Sequence, residues 1–389
     1  MTEVEIGHGK SGRRAYGFDD IVLVPSRRTR DPEDVSLAWE VDAYRFELPL
    51  VASAMDGVMS PETCVLLGRL GGLGVLDLEG LWTRYDDPEP LLEELADLPP
   101  GPATLARMRE IYAAPVQADL ITARVKQVRE SGVTVAASLT PQRTVQFAQT
   151  VLDAGVDLFV IQGTVVSAEH VSTRSEPLNL KRFIADLDVP VLVGGCATYQ
   201  SALHLMRTGA AGIMVGVGPG SANTTPGVLG LGAPMATALA DAAGARRDYL
   251  DESGGRYVHV IADGGMRTGG DIAKAIACGA DAVMMGSALA RAQEAPGRGW
   301  HWGHGSHHPE VPRGTRVRVE QVGTMEEVLL GPAHTDDGLT GIFGALRRTM
   351  ALTGYSSIKE FQRVEVLVAP SVRTEGKDFQ HSQSVGMGR

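Results

Sequence analysis

The sequence has little that could hold a fold together other than its own core. Its three cysteines, Cys64, Cys196 and Cys278, lie far apart and without metal-ligand spacing, which indicates neither a disulfide framework nor a zinc site. No apolar stretch approaches the roughly 20 residues that a membrane-spanning helix needs. The amino terminus is polar and contains no apolar segment that resembles a signal peptide. We therefore expect a cytoplasmic protein without a membrane partner.

Basic residues are scarce relative to acidic ones. Lysine and arginine number 36 against 47 aspartates and glutamates, and the formal net charge of -11 argues against nucleic acid as a partner. Aromatic residues make up only 5% of the chain, but the 43% of hydrophobic residues is ample for one large core. The 389 residues exceed the roughly 250 of a minimal (β/α)8 barrel, and long loops on a single barrel account for the excess.

Glycine recurs at informative places. Four helical patterns end at Gly132, Gly155, Gly209 and Gly279, and each glycine leads directly into an apolar run. Glycine just past a helix end tolerates a left-handed backbone, and the apolar run is typical of a strand buried on both faces. We predict eight such strands, at residues 48–52, 74–76, 133–138, 157–161, 189–193, 212–215, 257–262 and 282–285. The predicted fold class is α/β, a (β/α)8 TIM barrel, with its chemistry where the strands end.

The other segments are arranged around this barrel. Residues 78–115 are acidic, contain prolines and favour helices, and we interpret them as a surface excursion of the barrel. A long region of weak periodicity follows the last strand, where lids and binding loops tend to be found. The expected division is an N-terminal extension packing on the barrel, the barrel, a mobile flap-like loop, a C-terminal helix and strand, and a flexible tail: residues 1–47, 48–296, 297–340, 341–368 and 369–389.

Glycine-rich loops leave the predicted strand ends. The first strand runs into Ser53 and Met55, and the last strand runs into Gly286 and Ser287. Such glycines could serve only as tight turns, but together on adjacent strands they indicate backbone N–H groups that cradle a phosphate. A carboxylate at such a pocket would repel the ligand unless it faced hydroxyls, and Asp263 follows the seventh strand. Phosphate and a ribose diol together predict a nucleotide.

At this point the chain resembles the IMP dehydrogenase / GMP reductase family. The resemblance begins at YGFDDIVLVP (16–25) and continues through PLVASAMDGV (49–58), VGVGPGSANTT (215–225), VIADGGMRTGGDIAKAIACGADAVMMGSALA (260–290) and GALRRTMALTGYSSIKEFQ (344–362). It implies a TIM barrel that binds a purine nucleoside 5′-monophosphate beside a nicotinamide cofactor, NAD or NADP. It further implies a monovalent cation such as K+ and a homotetramer or higher homo-oligomer.

The resemblance also implies roles for individual residues. Positions that contact the nucleotide are matched by Ser53, Met55, Ser221, Asp263, Gly264, Gly265, Gly286, Ser287, Gly303 and His304. Within that set, Met55 lies against the base, Asp263 holds the ribose hydroxyls, and the GHGS turn at 303–306 is similar to the family's GMGS turn. The cofactor is expected at Gln162, Gly163, Thr164, Gly216 and Gly218, and the cation at Gly218, Gly220 and Asn223. Thr225 matches a threonine of the catalytic loop.

The chain departs from the family at the centre of its chemistry. The family's catalytic cysteine, in a GSxCTT loop, is replaced by Asn223, and an amide cannot make the thiolate attack on the purine. We interpret Cys196, beside Gly194 and Gly195, as a buried structural thiol rather than a substitute. The strand-four aspartate that meets the cofactor ribose in the family is replaced by Gln162.

The flap differs too. No Arg-Tyr pair that could activate water lies between residues 305 and 331, and we interpret the arginines of the PRGTRVR run, Arg313, Arg316 and Arg318, as a solvated strand. No pair of regulatory CBS repeats fits into residues 78–115, which indicates an IMP dehydrogenase-related branch that lacks this domain.

Histidines and tryptophans cluster just before the flap. The spacing of His301, His304, His307 and His308 could bring imidazoles together, but no cysteine or carboxylate cluster completes a metal site, and we do not predict one. The alternative is that they are loop histidines near a nucleotide. Trp300 and Trp302 could cover a purine or cofactor ring, or equally anchor the loop.

Two functions remain open from the sequence. The first is NAD(P)-linked oxidoreductase chemistry at a purine ring, of the IMP-to-XMP type. The second is a catalytically impaired purine-nucleotide-binding regulatory or partner subunit, because the principal nucleophile is absent.

Overall fold

The computed structural model describes residues 3–173, 176–308, 311–369 and 377–386. The amino-terminal segment contains the strands β1 (Glu3–Gly7), β2 (Lys10–Arg13), β3 (Ile21–Leu23), β4 (Trp39–Val41) and β5 (Tyr44–Phe46). The strands β1 and β2 form one antiparallel ribbon, and β4 and β5 form another. The second ribbon packs Trp39, Val41 and Phe46 against apolar side chains inside the barrel, so the extension closes its floor.

Eight parallel strands form the barrel. They are β6 (Leu50–Ala52), β7 (Val75–Asp77), β8 (Ala136–Leu139), β9 (Leu158–Gln162), β10 (Val191–Cys196), β11 (Gly212–Val215), β12 (His259–Asp263) and β13 (Ala282–Met285). Their order is β6-β13-β12-β11-β10-β9-β8-β7, and a parallel bridge between Val51 and Leu73 joins the two ends of this sheet. The predicted (β/α)8 barrel is confirmed.

All eight predicted strands are present, with small shifts at their ends. The largest extension is in β10, which continues through Gly194 and Gly195 to Cys196. A Cβ at Gly194 would lie 2.5 Å from the Cβ of Met214 on β11, so this glycine permits close strand approach instead of ending the strand. At Gly132, Gly155, Gly209 and Gly279 the backbone is left-handed, as the sequence pattern predicts, with φ between 80° and 110°.

Helices surround the barrel and follow its strands. They are α1 (Pro61–Arg69), α2 (Glu89–Asp97), α3 (Pro102–Tyr112), α4 (Ala118–Glu130), α5 (Pro141–Ala154), α6 (Leu180–Ala185), α7 (Tyr199–Met206), α8 (Thr225–Leu229), α9 (Met235–Glu252), α10 (Gly269–Ala277), α11 (Met325–Leu329), α12 (Ile342–Leu352), α13 (Ile358–Phe361) and α14 (Lys377–Ser382). Ser60 caps the start of α1, because its hydroxyl accepts a hydrogen bond from the backbone N–H of Thr63. No helix in the described parts of the chain is long and apolar enough to cross a membrane.

Residues 78–115 and 297–340 pack on each other. The first segment contains α2 and α3, and the second contains the antiparallel strands β14 (Trp300–Trp302) and β15 (Arg316–Arg318) as well as α11. Apolar side chains of α2 and α3 form a buried cluster with Trp300 and Trp302. The segment interpreted as a surface excursion is therefore also the support of a hairpin at the barrel mouth.

The carboxyl-terminal region returns to the start of the chain. The helix α12 packs on α10, and β16 (Val366–Val368) pairs antiparallel with β3. The tail expected to be flexible lies outside the described residues at 370–376 and 387–389, while α14 falls within its described part.

Candidate functional site

A cavity of about 410 Å³ opens at the carboxyl ends of the barrel strands. Its wall combines the loops after β6, β9, β11, β12 and β13 with the hairpin formed by β14 and β15. Every predicted site residue except Thr225 contributes to this wall: Ser53, Met55, Gln162, Gly163, Thr164, Gly216, Gly218, Gly220, Ser221, Asn223, Asp263, Gly264, Gly265, Gly286, Ser287, Gly303 and His304.

One side of the cavity is rich in hydroxyl groups and glycine backbone. The Oγ atoms of Ser221 and Ser287 lie 2.6 Å apart. Gly264 and Gly265 have φ of 83° and 82°, which glycine adopts without strain. A Cβ at Gly264 would lie 3.1 Å from the backbone N of Gly220, so the two loops approach each other closely. This arrangement has the donors and the space that a phosphate needs.

A carboxylate forms the next part of the wall. Asp263 ends β12, and Nε2 of Gln162 donates a hydrogen bond to its Oδ2 over 3.3 Å. Burial raises the pKa of Asp263 to about 6, because its single amide partner compensates little of the lost hydration. Oε1 of Gln162 is buried and has no hydrogen-bond partner among the described residues. Both groups are therefore available to a ligand that presents hydroxyl or amide donors.

Asn223, the residue expected at the family's cysteine position, is exposed in the cavity wall. Its Oδ1 accepts hydrogen bonds from the backbone N–H of Thr225, at 2.8 Å, and from the Thr225 hydroxyl. Thr225 itself is fully buried at the start of α8 and does not line the cavity, and its expected catalytic role stays a prediction. Its Oγ1 also lies 3.2 Å from Nε2 of His307.

The turn at Gly303–Gly305 is held by Arg313. Nη1 of Arg313 donates to the backbone O of His304 over 3.0 Å and lies 3.2 Å from Oδ2 of Asp77. Only 5% of the Arg313 side chain is exposed, and its guanidinium lies over the ring of Tyr112 at 4.5 Å. The interpretation of Arg313 as part of a solvated strand is wrong, because a buried carboxylate and an aromatic face compensate its charge.

A buried polar chain connects this support to α3. Tyr112 donates its hydroxyl proton to Oδ2 of Asp56 over 2.5 Å, and Nε1 of Trp302 donates to the Tyr112 hydroxyl over 2.7 Å. Burial and the nearby charge of Asp77 raise the pKa of Asp56 to about 6. Trp300 and Trp302 thus anchor the hairpin instead of covering a ligand ring, since neither lines the cavity.

The cysteines offer no alternative nucleophile in the wall. Cys196 is 2% exposed, and burial raises its pKa to about 12, so its thiol stays protonated at neutral pH. Its Sγ lies 3.6 Å from the backbone O of Met214. This environment suits the structural role expected from the sequence.

Sequence reasoning missed three cationic or ionisable residues of the wall. They are Arg267, Arg291 and His301. From the sequence alone, His301 has no specific role in the wall, although the alternation Trp300-His301-Trp302 contains the signal for its direction. In a strand, successive side chains point to opposite faces. Because the indoles of Trp300 and Trp302 are buried on one face of β14, the imidazole of His301 lies on the other.

The described residues contain no group of three or more histidine, cysteine, aspartate or glutamate side chains that could hold a metal ion. In the expected cation loop, the carbonyl O of Gly220 accepts from the backbone N–H of Asn223 over 3.1 Å. A carbonyl oxygen has a second lone pair, and the monovalent cation stays a prediction.

Known proteins resemble the chain over nearly its full length. The model of the IMP dehydrogenase / GMP reductase domain matches residues 15–377. Uncharacterized oxidoreductases of Mycolicibacterium smegmatis and Mycobacterium tuberculosis are 50% and 52% identical, each over 94% of this chain and 99% of the relative. An inosine-5′-monophosphate dehydrogenase of Cryptosporidium parvum is 28% identical over 95% of this chain and 94% of that protein.

A solved structure agrees with these relatives. The crystal structure of an IMP dehydrogenase/GMP reductase-like protein from Corynebacterium glutamicum superposes with a TM-score of 0.89 at 48% identity, covering 94% of this chain and 97% of that one. With the barrel, the position of its cavity and these matches in agreement, the chain belongs to the IMP dehydrogenase / GMP reductase family.

Proposed function

We propose that the cavity binds a purine nucleoside 5′-monophosphate and that the protein carries out NAD(P)-linked oxidoreductase chemistry at the purine ring, of the IMP-to-XMP type. The observation that carries this proposal is that residues from five strand ends and one hairpin, expected separately to hold phosphate, ribose, base and cofactor, share one cavity.

The phosphate would lie against Ser221, Ser287 and the glycine loops. Arg267 and Arg291 line the same cavity and supply positive charge. Such charge-assisted hydrogen bonds are about twice as strong as neutral ones. A nucleoside without phosphate should therefore bind far more weakly than its monophosphate, and equal affinities for inosine and IMP would contradict the phosphate assignment.

The ribose and base would occupy the wall beyond the phosphate. Asp263 can accept hydrogen bonds from two ribose hydroxyls while Gln162 holds its Oδ2. The thioether of Met55 lies near Gly286, where a Cβ would be 3.3 Å from Sδ, and offers an apolar contact to a flat ring.

A nicotinamide cofactor fits the wall formed by Gln162, Gly163 and Thr164. The unpartnered Oε1 of Gln162 is an acceptor suited to a ribose hydroxyl or to the carboxamide N–H group of nicotinamide. A Cβ at Gly216 would lie 2.2 Å from the backbone O of Asp263, so this loop keeps its backbone close to the site. When bound, the nicotinamide would give or take the hydride. The chain's own residues bind and orient the ring beside the purine.

The reaction would proceed without a covalent thiolate step. The Asn223 side chain has no nucleophile comparable to a thiolate, and its Oδ1 is already engaged by Thr225. We therefore expect no purine adduct on the wild-type protein. Mass spectrometry of protein quenched with IMP and NAD tests this, and a purine adduct at Cys196 or elsewhere would overturn the assignment.

Restoring the nucleophile provides a sharper test. Changing Asn223→Cys should restore only part of the hydride transfer that the thiolate route supports. The nucleophile, the orientation of the substrate and the activation of water act as a unit, and the variant still lacks the Arg-Tyr pair that could activate water. A matched Asn223→Ser variant keeps a small side chain with an oxygen that can accept from Thr225, and it should give no adduct. Adduct formation and NADH absorbance are measured together.

A second function is favoured by the Asn223 contacts. The Asn223 side chain accepts two hydrogen bonds at the start of α8, which is a structural role. A structural residue at the expected catalytic position is what a purine-binding regulatory or partner subunit without catalysis would have. Titration of the protein with IMP and GMP, together with assays of IMP with NAD or NADP and of GMP with NADPH, distinguishes the two. Tight binding without turnover favours the subunit.

The remaining expectations belong to this proposal. They are a cytoplasmic location, a homotetramer or higher homo-oligomer, and a monovalent cation such as K+ at Gly218, Gly220 and Asn223. Analytical ultracentrifugation tests the assembly. Replacement of K+ by Na+ or a tetraalkylammonium ion, followed by the binding titration, tests the cation.

A further inference from the structure

Three polar atoms form a closed triangle in the cavity wall. The Oγ atoms of Ser221 and Ser287 lie 2.6 Å apart, Nε2 of His301 lies 2.8 Å from the Ser287 Oγ, and it lies 3.3 Å from the Ser221 Oγ. The triangle joins the loop after β11, the loop after β13 and the hairpin strand β14. His301 has no exposed surface.

The number of protons in this triangle decides what it can offer a ligand. Each hydroxyl contributes one proton. When Nε2 has no proton, Ser221 can donate to Ser287 and Ser287 to Nε2, so both hydroxyl protons are used within the triangle. When Nε2 carries a proton, it donates to Ser287, Ser287 donates to Ser221, and the Ser221 proton is free for the cavity. A phosphate, which has acceptors facing the wall, favours the second arrangement.

The surroundings keep the unliganded ring neutral. Burial, and then the positive charge of Arg291, lowers the pKa of His301 to about 4, whereas the backbone of Val317, opposite it in the strand pair, acts in the other direction. Several charged groups lie on the elements around this wall: Asp263 and Arg267 on β12 and its loop, Arg291 after β13, and Arg316 and Arg318 on β15. Glu320 and Asp337 are also near, and their negative charges act to raise the pKa of Arg291.

We propose that His301 makes phosphate binding proton-linked: when a phosphate monoester dianion binds, one proton from solvent is taken up on Nε2 and the hydroxyl chain turns outward. This inference rests on the proposed function for the location of the phosphate. It adds a residue and a pH dependence that the proposed function does not require. A dianion beside a buried imidazole favours the charged ring, and a group protonated on binding makes affinity fall as pH rises.

Calorimetry in buffers of different ionisation enthalpy measures the protons taken up. At pH 7.0 most of a phosphate monoester is already the dianion, since its second pKa is about 6. We expect wild type to take up about 0.3 to 1 more proton per site than His301→Gln, which keeps an amide donor but does not titrate. The wild-type affinity should fall between pH 7 and 8.5, and the affinity of His301→Gln should be nearly constant. His334→Gln, an exposed histidine bonded to Glu327, should behave as wild type.

Two probes separate this inference from the proposed function. With IMP and with ribose 5-phosphate, phosphate binding without the extra proton uptake overturns the role of His301, because a tautomer change then suffices, and leaves the proposed function intact. Equal proton-linked binding of both probes, without preference for IMP, supports His301 and contradicts the purine assignment. If neither probe binds, both proposals are wrong. Circular dichroism of the variant and wild type shows that a loss of binding is not unfolding.

Discussion

Two aspartates at opposite ends of adjacent barrel strands have opposite environments. Asp263 ends β12 at the cavity and has one amide partner, Gln162, so that burial raises its pKa to about 6. Asp281 precedes β13 at the other end of the barrel, where burial also acts to raise its pKa but the charges of Arg246 and Lys359 lower it to about 2. Similar loss of hydration therefore yields a carboxylate available to a ligand in one place and a satisfied structural anion in the other.

The partners explain the difference. Around Asp281, Nη1 of Arg246 lies at 2.7 Å, the Tyr257 hydroxyl at 2.8 Å and Nε2 of Gln362 at 3.0 Å, and Lys359 also donates to it. Arg246 lies in α9, Tyr257 in the segment before β12, Lys359 in α13, and Gln362 directly after α13. In TIM barrels generally, the carboxyl ends of the strands hold the chemistry and the opposite face contributes stability, and the different environments of this pair agree with that division.

Removing the structural anion should have the largest effect. We expect Asp281→Ala to lower the free energy of unfolding by about 3–5 kcal/mol, because Arg246, whose side chain is only 12% exposed, would lose its counter-charge and Tyr257 and Gln362 would lose their buried acceptor. Denaturant unfolding measures it. Glu252→Gln, which breaks an exposed pair with Arg207, is the control and should change little. A loss under about 1 kcal/mol in Asp281→Ala would show that the two ends of the barrel are energetically alike.

Because of the Asp281 carboxylate, we expect the free energy of unfolding to fall in acid. A carboxyl whose folded pKa is about 2 contributes stability above its unfolded pKa, near 3.9, and loses it as pH falls towards 2. The shift of about two pKa units corresponds to about 2.5 kcal/mol, lost mainly between about pH 5 and pH 2. Unfolding free energies of wild type and Asp281→Asn, measured across this range, should converge as pH falls. A constant difference would contradict the prediction.

The cavity aspartate should matter for binding. We expect Asp263→Ala to weaken purine monophosphate binding by about 1.5–3 kcal/mol, the loss expected when hydrogen bonds to a charged group disappear. Calorimetric titration with IMP or GMP measures this. Asp153→Ala, which removes an exposed carboxylate on α5 outside the cavity, is the control. Unchanged affinity in Asp263→Ala would remove Asp263 from the ribose site.

The smallest effect has the opposite sign to that at Asp281. A carboxyl with a raised folded pKa destabilises the fold once it is ionised, so the cost grows between about pH 4 and pH 6 and then stays constant. At pH 7.5 we expect Asp263→Asn to stabilise the unliganded protein by about 1 kcal/mol, since the open cavity screens part of the penalty. Thermal unfolding without ligand checks this. Destabilisation would mean that the carboxylate supports the empty site.

The barrel and the cavity loops were predictable because their signals are local. An apolar run, in four cases directly after a left-handed glycine, is a property of a few neighbouring residues, and the apolar runs located all eight strands to within a few positions. The position of the loop residues follows from the barrel itself. Once the strands are parallel and closed, Ser53, Asp263 and Ser287 must meet at one end.

The errors concern residues whose partners are distant in sequence. Arg313 lies in a run whose composition is typical of a solvated strand. Only the fold shows that its guanidinium is buried beside the carboxylate of Asp77 and over the ring of Tyr112. The fold also decides the surroundings of Thr225, which is buried at the start of α8 and bonded to Asn223, while its catalytic role stays a prediction. For His301 the alternating pattern was visible, yet the face that Trp300 and Trp302 bury depends on α2 and α3.

The sequence by itself determined the barrel, its family and the loops of the cavity, because hydrophobic periodicity and glycine conformations act over short stretches of chain. Only the tertiary structure decided which ionisable groups are compensated. The pKa values of Asp263, Asp281 and His301 depend on how much water each loses and on charges brought from distant segments, and neither quantity exists until those segments pack together.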